Sequence, residues 1–549
     1  MSDKNSRIFD YIVVGAGTAG CAVASRLAED PGNRVLLLEA GGGDNHFHVR
    51  MPVAFTKAVV DPALNWGYES EPEPFMEGRT LPIPRGKLLG GSSSINGMFH
   101  IRGNPRDFDE WRDLGNEGWG YADVLPYFRR SEESWLGEGT YHGGGGPVQT
   151  QAIDTRKLLH EPLKQAAMNA GYKFNQDYDG ASQEGFANGQ VAIDRDGRRH
   201  STARAYLSAK RRVANLQIET KATVQRLVFQ GQRVVGIEYL RNDKLVRAAA
   251  RREVVLSAGA YNTPKLLMLS GIGPAAELAA HGIPVLADLP GVGQNLIEHP
   301  CVSMRFLAST PVTFTNELRF DRATLSVLRW ALLGNGPFAT QICNGTLLLR
   351  TRPELDRPDV QLLCNPVAHG ARLWFPGVVT PTPQTFFITV CLLHERSRGH
   401  VSLRSANPAD RPRIFLNLLS DPEDVKTLRE AVKITRQLYH TEPMASLIGE
   451  ETVPGEKFVT DAQLDAEIPK IAGITHHPVG TCRMGNDALA VVDANLRVRG
   501  IEGLRIADAS IMPTIPSANT NAASIMIGEK AADLILGRSL PPARIAVSG

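Results

Sequence analysis

The segment FDYIVVGAGTAGCAVASRLAEDPGNRVLLLEAG leaves a chain few choices of fold. Phe9 to Val14 is a short apolar run with β-branched members, which predicts a buried strand. Gly15-x-Gly17-x-x-Gly20 follows without a gap, and a helical stretch from Gly20 to Glu29 stops at the breaker Pro31-Gly32. RVLLLEA then reads as a second buried strand, which completes a βαβ unit. Gly15 permits the tight turn, Gly17 lets the backbone approach a pyrophosphate, and Gly20 lets helix and strand pack closely. The helix N-terminus offers free N–H groups and partial positive charge to that pyrophosphate. Glu39 stands 19 residues after Gly20, at the end of the second strand. A carboxylate there accepts hydrogen bonds from ribose hydroxyls and repels a 2′-phosphate. Dinucleotide binding is the expectation. A glycine-rich turn in an ordinary α/β core is the bland alternative, and the motif does not choose between NAD and FAD.

At 549 residues the chain is too long for one ordinary domain, and 42% hydrophobic residues supply a sizeable core. Lys+Arg is 60 against Asp+Glu 58, so no strong basic field exists for nucleic acid. Six scattered cysteines show no C-x-x-C and no metal-ligand spacing, so no metal is expected and a reduced, cytoplasmic setting fits. The N-terminal apolar run is too short to span a membrane and lacks a signal-peptide cleavage pattern. LSVLRWALLG (Leu325 to Gly334) reads as a buried or surface-touching helix, with peripheral membrane contact as the less favoured reading.

Two further stretches repeat the strand-turn-helix logic. In PRGKLLGGSSSINGMFHIRGNPRDFDEW, Gly90-Gly91 and three serines supply unhindered N–H groups and hydroxyls, and Ser92, Ser93 or Ser94 suits a helix cap. In REVVLSAGAYNTPKLLMLSGIG, VVLSAG is a buried strand, Thr263-Pro264 resembles an N-cap with proline in the first turn, and the helix ends at Ser270-Gly271.

With these stretches, GVGQNLIEHP, HPVGTCRMG, GLRIADASIMP and ANTNAASIMIGEKAAD in order from Asp10 to Asp533, the chain resembles the glucose-methanol-choline (GMC) flavoprotein oxidoreductases. The resemblance implies an α/β fold (α+β overall). It combines a Rossmann-like FAD-binding domain with an inserted substrate domain of antiparallel sheet plus helices. The expected segments are 1–155, 205–304 and 470–549 for FAD, and 156–204 and 305–469 for substrate. The cofactor implied is FAD, held by Gly15, Gly17, Thr18, Ala19, Gly20, Glu39 and Ala40, with Val224 against the adenine. Arg85, Gly90, Gly91, Ser92, Asn96, Met98, Ala258, Asp508, Ala509, Asn519 and Thr520 complete the implied cofactor set. Asp508 also ends the strand LRIADAS, a place that suits the ribityl-pyrophosphate. Some members tether FAD through a His where this chain has Ile95, so non-covalent FAD is expected. His100 departs from the usual aromatic or small residue and either tunes the pocket rim or is a buried structural histidine.

Oxidising an alcohol needs a base for the hydroxyl proton and an acceptor for hydride, and a histidine suits the first. In GITHHPVGTCRMG the residues alone favour two structural histidines. The resemblance instead makes His477, directly before Pro478, the base, with His476 lining the site or orienting it. It also aligns Asn521 with a position that carries His or Asn, where an amide donates to the substrate oxygen without exchanging a proton.

The middle segment is expected to wall the substrate, with Trp374, Phe375, Phe386 and Phe387 favouring an apolar or aromatic primary alcohol, although TFFITVCLL reads equally well as a buried strand. Choline is disfavoured, because Cys301 stands where choline-oxidising members carry an acid, and Glu298 replaces the motif's usual Asp. Electrons are expected to pass to a quinone or dye-like acceptor (an alcohol dehydrogenase) or to O2 (an alcohol oxidase), the former modestly favoured. Two alternatives stay open at this point: a hydroxynitrile lyase on the same fold, and a non-catalytic flavin-binding protein.

Overall fold

In the computed structural model, residues 7–209, 213–368 and 370–545 are described. Strand Arg7–Val14 lies between Val35–Leu38 and Lys244–Leu256, parallel to both. Leu216–Glu219 extends the sheet beyond Val35–Leu38, and Leu504–Ile506 joins the far end of Lys244–Leu256, again in parallel. Ile12, Val13, Leu36, Leu37, Val254, Val255 and Leu256 are fully buried, which is why these strands read as unbroken apolar runs. Lys244–Leu256 is long enough to serve two partners. Its first half also pairs antiparallel with Arg233–Arg241, which in turn pairs with Ala222–Gln230.

Helix α1 (Thr18–Leu27) follows the first strand, and its N-cap is Gly17. A methyl group built at Gly20 would overlap the carbonyl oxygen of Gly15, so only glycine lets the helix lie this close to the turn. Helix α2 runs over Gly259–Leu269 with Ala258 as N-cap, five residues earlier than a cap at Thr263 led one to expect. Thr263 is no cap. Its hydroxyl donates to Asp508 Oδ2 at 2.6 Å, and the same oxygen takes the Gly259 N–H at 2.9 Å, so the acid of a distant strand does the capping. The serines after Gly91 likewise cap nothing. Gly91–Ser94 is a single tight turn, and the next helix, Pro105–Asp113, starts from its own capping box at Asn104 and Asp107.

The second sheet is antiparallel, in the order Ile448–Val453, Pro300–Ala308, Thr385–Leu392, Val360–Asn365, Gly345–Leu349, Gly185–Ala187. Ala472–Ile474 pairs with the start of Pro300–Ala308. The second sheet thus takes its strand from Pro300 and reaches Ile474, slightly wider than the expected 305–469. One face is apolar: Val302, Met304, Phe306, Leu362, Phe386, Ile388 and Val390 pack with Leu428, Val432 and Tyr439, which belong to the helix Pro422–Tyr439. The next residues along each strand face the other way, toward the first domain.

The last long helix, Thr520–Ile535, packs against α1. A Cβ at Gly528 would sit 2.5 Å from the Ala19 carbonyl oxygen and 2.9 Å from Ala22 Cβ. Gly528→Ala is expected to lower stability by about 1–3 kcal/mol, the usual cost of overpacking, read from thermal unfolding of the purified protein.

Candidate active site

Between the two sheets lies a cavity of about 1150 Å³. Every residue expected to hold the cofactor lines it except Gly20 and Gly90. Gly90 instead gives its N–H to the Ala16 carbonyl at 2.7 Å, which ties the serine loop to the glycine-rich turn. Two helices direct their first turns at the cavity, one starting at Thr18 and the other at Thr520, and neither has a side-chain cap on its N–H groups. Such a pair of free helix N-termini is a seat for an anionic group. Glu39 Oε1 and Oε2 accept the Gly41 and Ala16 N–H groups, and burial nevertheless pushes its carboxyl up to about 7. Three buried polar atoms of the lining, Tyr261 Oη, His476 Nδ1 and Asn519 Oδ1, have no hydrogen-bond partner among the described residues. Free helix ends, a closing acid and unpartnered polar atoms along one elongated set of residues fit an extended dinucleotide such as FAD.

His477 is built into place from every side. Its backbone N–H donates to Glu298 Oε1 at 2.5 Å. His476, at φ +67°, makes the left-handed turn that precedes it, and Arg85 Nη2 donates to the His476 carbonyl at 2.7 Å. His477 Nδ1 lies 2.9 Å from Thr475 Oγ1, and that hydroxyl donates onward to the His299 carbonyl at 3.4 Å. With its own proton committed, Thr475 accepts, so the imidazole proton sits on Nδ1. Nε2 keeps its lone pair and takes the Asn519 amide N–H at 3.1 Å. Burial first, and then the positive charge of His299 and Arg85 and the neighbouring His476, holds the His477 imidazolium well below its ordinary 6.5. Burial with Arg85 likewise pulls His476 down to about 3.

The amide beside His477 is that of Asn519, two residues before the expected Asn521. Asn519 is the N-cap residue of the last helix but makes no capping bond, which frees its amide for the imidazole. Asn521 lies inside the first turn, and its Oδ1 accepts from Thr18 Oγ1 at 2.9 Å, joining the two helix starts. His477 and Asn521 both line the cavity, but no hydrogen bond joins them.

A second histidine escaped the sequence reading. His299 packs edge-on to His477, ring centres 5.5 Å apart, and is 1% exposed. Its Nδ1 meets Glu395 Oε2 at 3.0 Å, and Nε2 faces the Pro516 and Ala518 carbonyls at 3.2 and 3.3 Å. Burial disfavours its charge, but Glu395 outweighs burial and raises the pKa. The charged ring thus pins the loop that delivers Asn519. Nothing in the spacing of His299 and Glu395 announces the pair.

The wall opposite comes from the inward-facing residues of the second sheet: Cys301, Ser303, Leu363, Asn365, Phe387 and Thr389. Phe386 points the other way, into the apolar core, so of the four aromatic residues expected here only Phe387 lines the cavity. Trp374 and Phe375 belong to a surface loop. His100 lies off the cavity, 2% exposed, beside Arg102, Glu132 and His142, and burial pulls it down to about 4. It therefore does not stand at the rim of the cavity. His46, His48 and Asp61 bring ligand atoms within 4.8 Å of one another, a grouping that no Cys/His spacing revealed. His46 Nδ1 already accepts the His48 N–H as the cap of a short helix, and its Nε2 lies 3.9 Å from Asp61 Oδ2.

Comparison with known proteins agrees with this geometry. GMC oxidoreductase family domains match residues 9–301 and 395–528. The chain is 42% identical over 540 residues to a protein of Escherichia coli named oxygen-dependent choline dehydrogenase, covering 97% of this chain and 96% of that one. It is 41% identical to the mitochondrial choline dehydrogenase of Mus musculus, covering 96% and 89%. Among solved structures it is similar to pyridoxine 4-oxidase from Mesorbium loti, with TM-score 0.86, 32% identity and coverage of 95% and 98%. It is also similar to a formate oxidase variant of Aspergillus oryzae RIB40 studied for its FAD modification, with TM-score 0.90, 28% identity and coverage of 97% and 99%.

Asn519→Ala is expected to slow anaerobic flavin reduction by alcohol about 10²-fold, the usual effect of losing one aimed donor. Asn521→Ala, which breaks the tie between the helix starts, is expected to weaken FAD retention more than it slows reduction. Stopped-flow absorbance and gel-filtration flavin content separate the two. Because the His477 pKa is depressed, its imidazole stays neutral as pH falls through 6.5, so kcat/KM is expected to hold level there and to decline only at lower pH.

Proposed function

Since the chain belongs to the GMC oxidoreductase family of FAD-dependent enzymes acting on CH–OH donors, we propose that it oxidises an uncharged, apolar or aromatic primary alcohol to the aldehyde. Bound FAD, held without a covalent link, supplies the acceptor for hydride. His477 Nε2 takes the hydroxyl proton, and Asn519 Nδ2, 3.1 Å from it, donates to the alcohol oxygen as negative charge grows there. Thr475 fixes the tautomer, and Arg85, Glu298 and His476 fix the backbone that carries the base.

The observation that carries the choice of substrate is the wall around His477. Cys301, Ser303, Leu363, Asn365, Phe387 and Thr389 include no carboxylate. Cys301 stands where an acid would meet a trimethylammonium group, and burial pushes its thiol up to about 12, so it stays neutral. Phe55, Phe99 and Phe387 add apolar surface. Choline is the second reading, favoured by the names of the relatives at 41–42% identity. Ile95 lines the cavity and has no nucleophilic atom to bond a flavin, which supports FAD held without a covalent link. A quinone or dye-like acceptor is favoured over O2.

A panel of benzyl alcohol, straight-chain alcohols and choline, with dye reduction and O2 uptake followed side by side, tests the reading. Apolar alcohols are expected to exceed choline in kcat/KM by about tenfold or more, since one buried unpaired charge costs at least that much. A choline preference of the same size would reverse the assignment. Acid precipitation is expected to release the flavin into the supernatant. His477→Ala should slow flavin reduction by about 10²–10⁴-fold, and His476→Ala by less.

A further inference from the structure

A surface helix normally turns its large apolar side chains inward. Helix α3 (Phe320–Leu333) does the reverse. Its buried face is Ala323, Ser326 and Trp330, while Leu325, Leu328 and Leu332, spaced i, i+3, i+7, form an outward row at 67%, 51% and 79% exposure. The row continues onto the loop 372–379, where Phe375 packs against Phe320 with ring centres 6.3 Å apart and Val378 is 77% exposed. So large a contiguous apolar patch marks an interaction surface.

What surrounds the patch identifies the partner. Arg322 and Arg329 are exposed at i, i+7 along one flank of the leucine row, and Arg372 and Lys57 stand exposed beyond it. None of these four has a carboxylate within ion-pair distance among the described residues, whereas the one acid on α3, Asp321, is taken by Arg319 at 2.7 Å. Leucines facing outward with long cationic side chains beside them are the arrangement of a helix lying in a lipid interface, where the charged heads reach the phosphates. A second copy of the same surface would bring like charges together.

The patch also adjoins the cavity. Leu318, Val367, Ala368 and Ala371, at the bases of the helix and the loop, line the cavity, as does Lys57. We propose that α3 and the 372–379 loop dock the enzyme on an anionic phospholipid bilayer, with the cavity opening at the lipid surface. An apolar alcohol or a lipid-dissolved electron acceptor then reaches the site without crossing bulk water.

Co-sedimentation of the FAD-loaded, full-length enzyme with vesicles tests this. Vesicles of three parts phosphatidylcholine to one part phosphatidylglycerol are expected to bind at least about tenfold more tightly than pure phosphatidylcholine. The triple variant L325Q/L328Q/L332Q is expected to lose about tenfold or more of that binding, and R322Q/R329Q to lose the preference for the anionic lipid. Both variants alter exposed residues outside the cavity lining, so flavin reduction by a short, water-soluble alcohol should be unchanged. Absence of vesicle binding, or binding that survives the leucine changes, overturns the proposal. So does a dimer in light scattering that the leucine changes dissociate while vesicle binding is absent, which would make the face a self-interface.

Discussion

Burial and cationic neighbours together keep the His477 imidazole from taking a charge, and the site is arranged around that constraint. His299, Arg85 and His476 all bear on His477, and each disfavours its charged form. The same groups hold it still: Arg85 through the His476 carbonyl, and His299 through the carbonyl that fixes Thr475. Electrostatic cost and geometric order come from one set of contacts. The His299–Glu395 pair supplies one of those cationic neighbours, since an imidazolium that buried persists only beside an opposite charge.

The second sheet shows how little sequence change separates a core residue from a site residue. Phe386 and Phe387 are neighbours of the same type, yet one joins Ile388 and Val390 in the core and the other faces the cavity. The period of the strand decides, and a one-residue slip would exchange every wall residue for a core residue. Cys301 and Val302 stand in the same relation on the neighbouring strand.

This also explains what could be read in advance. The first sheet was legible because its strands are unbroken apolar runs and its glycines are demanded by close packing, both local properties. The residues expected to hold the cofactor came mostly from the family resemblance, and all but Gly20 and Gly90 line the cavity. The partner of His477 was not, because ANTNAAS offers two asparagines two positions apart, and only the helix start decides which faces the imidazole. Trp374 and Phe375 looked like substrate wall because an aromatic run carries no mark of which strand end it leaves from. His299 and Glu395 lie 96 positions apart and meet only through the fold.

The bond between Thr18 and Asn521 spans 503 positions of the chain. Each of the two helix starts brings only half of the anion seat, and the halves are far apart along the chain. The seat therefore exists only once the whole fold has closed, and a change that loosens the last helix is felt at the first glycine turn.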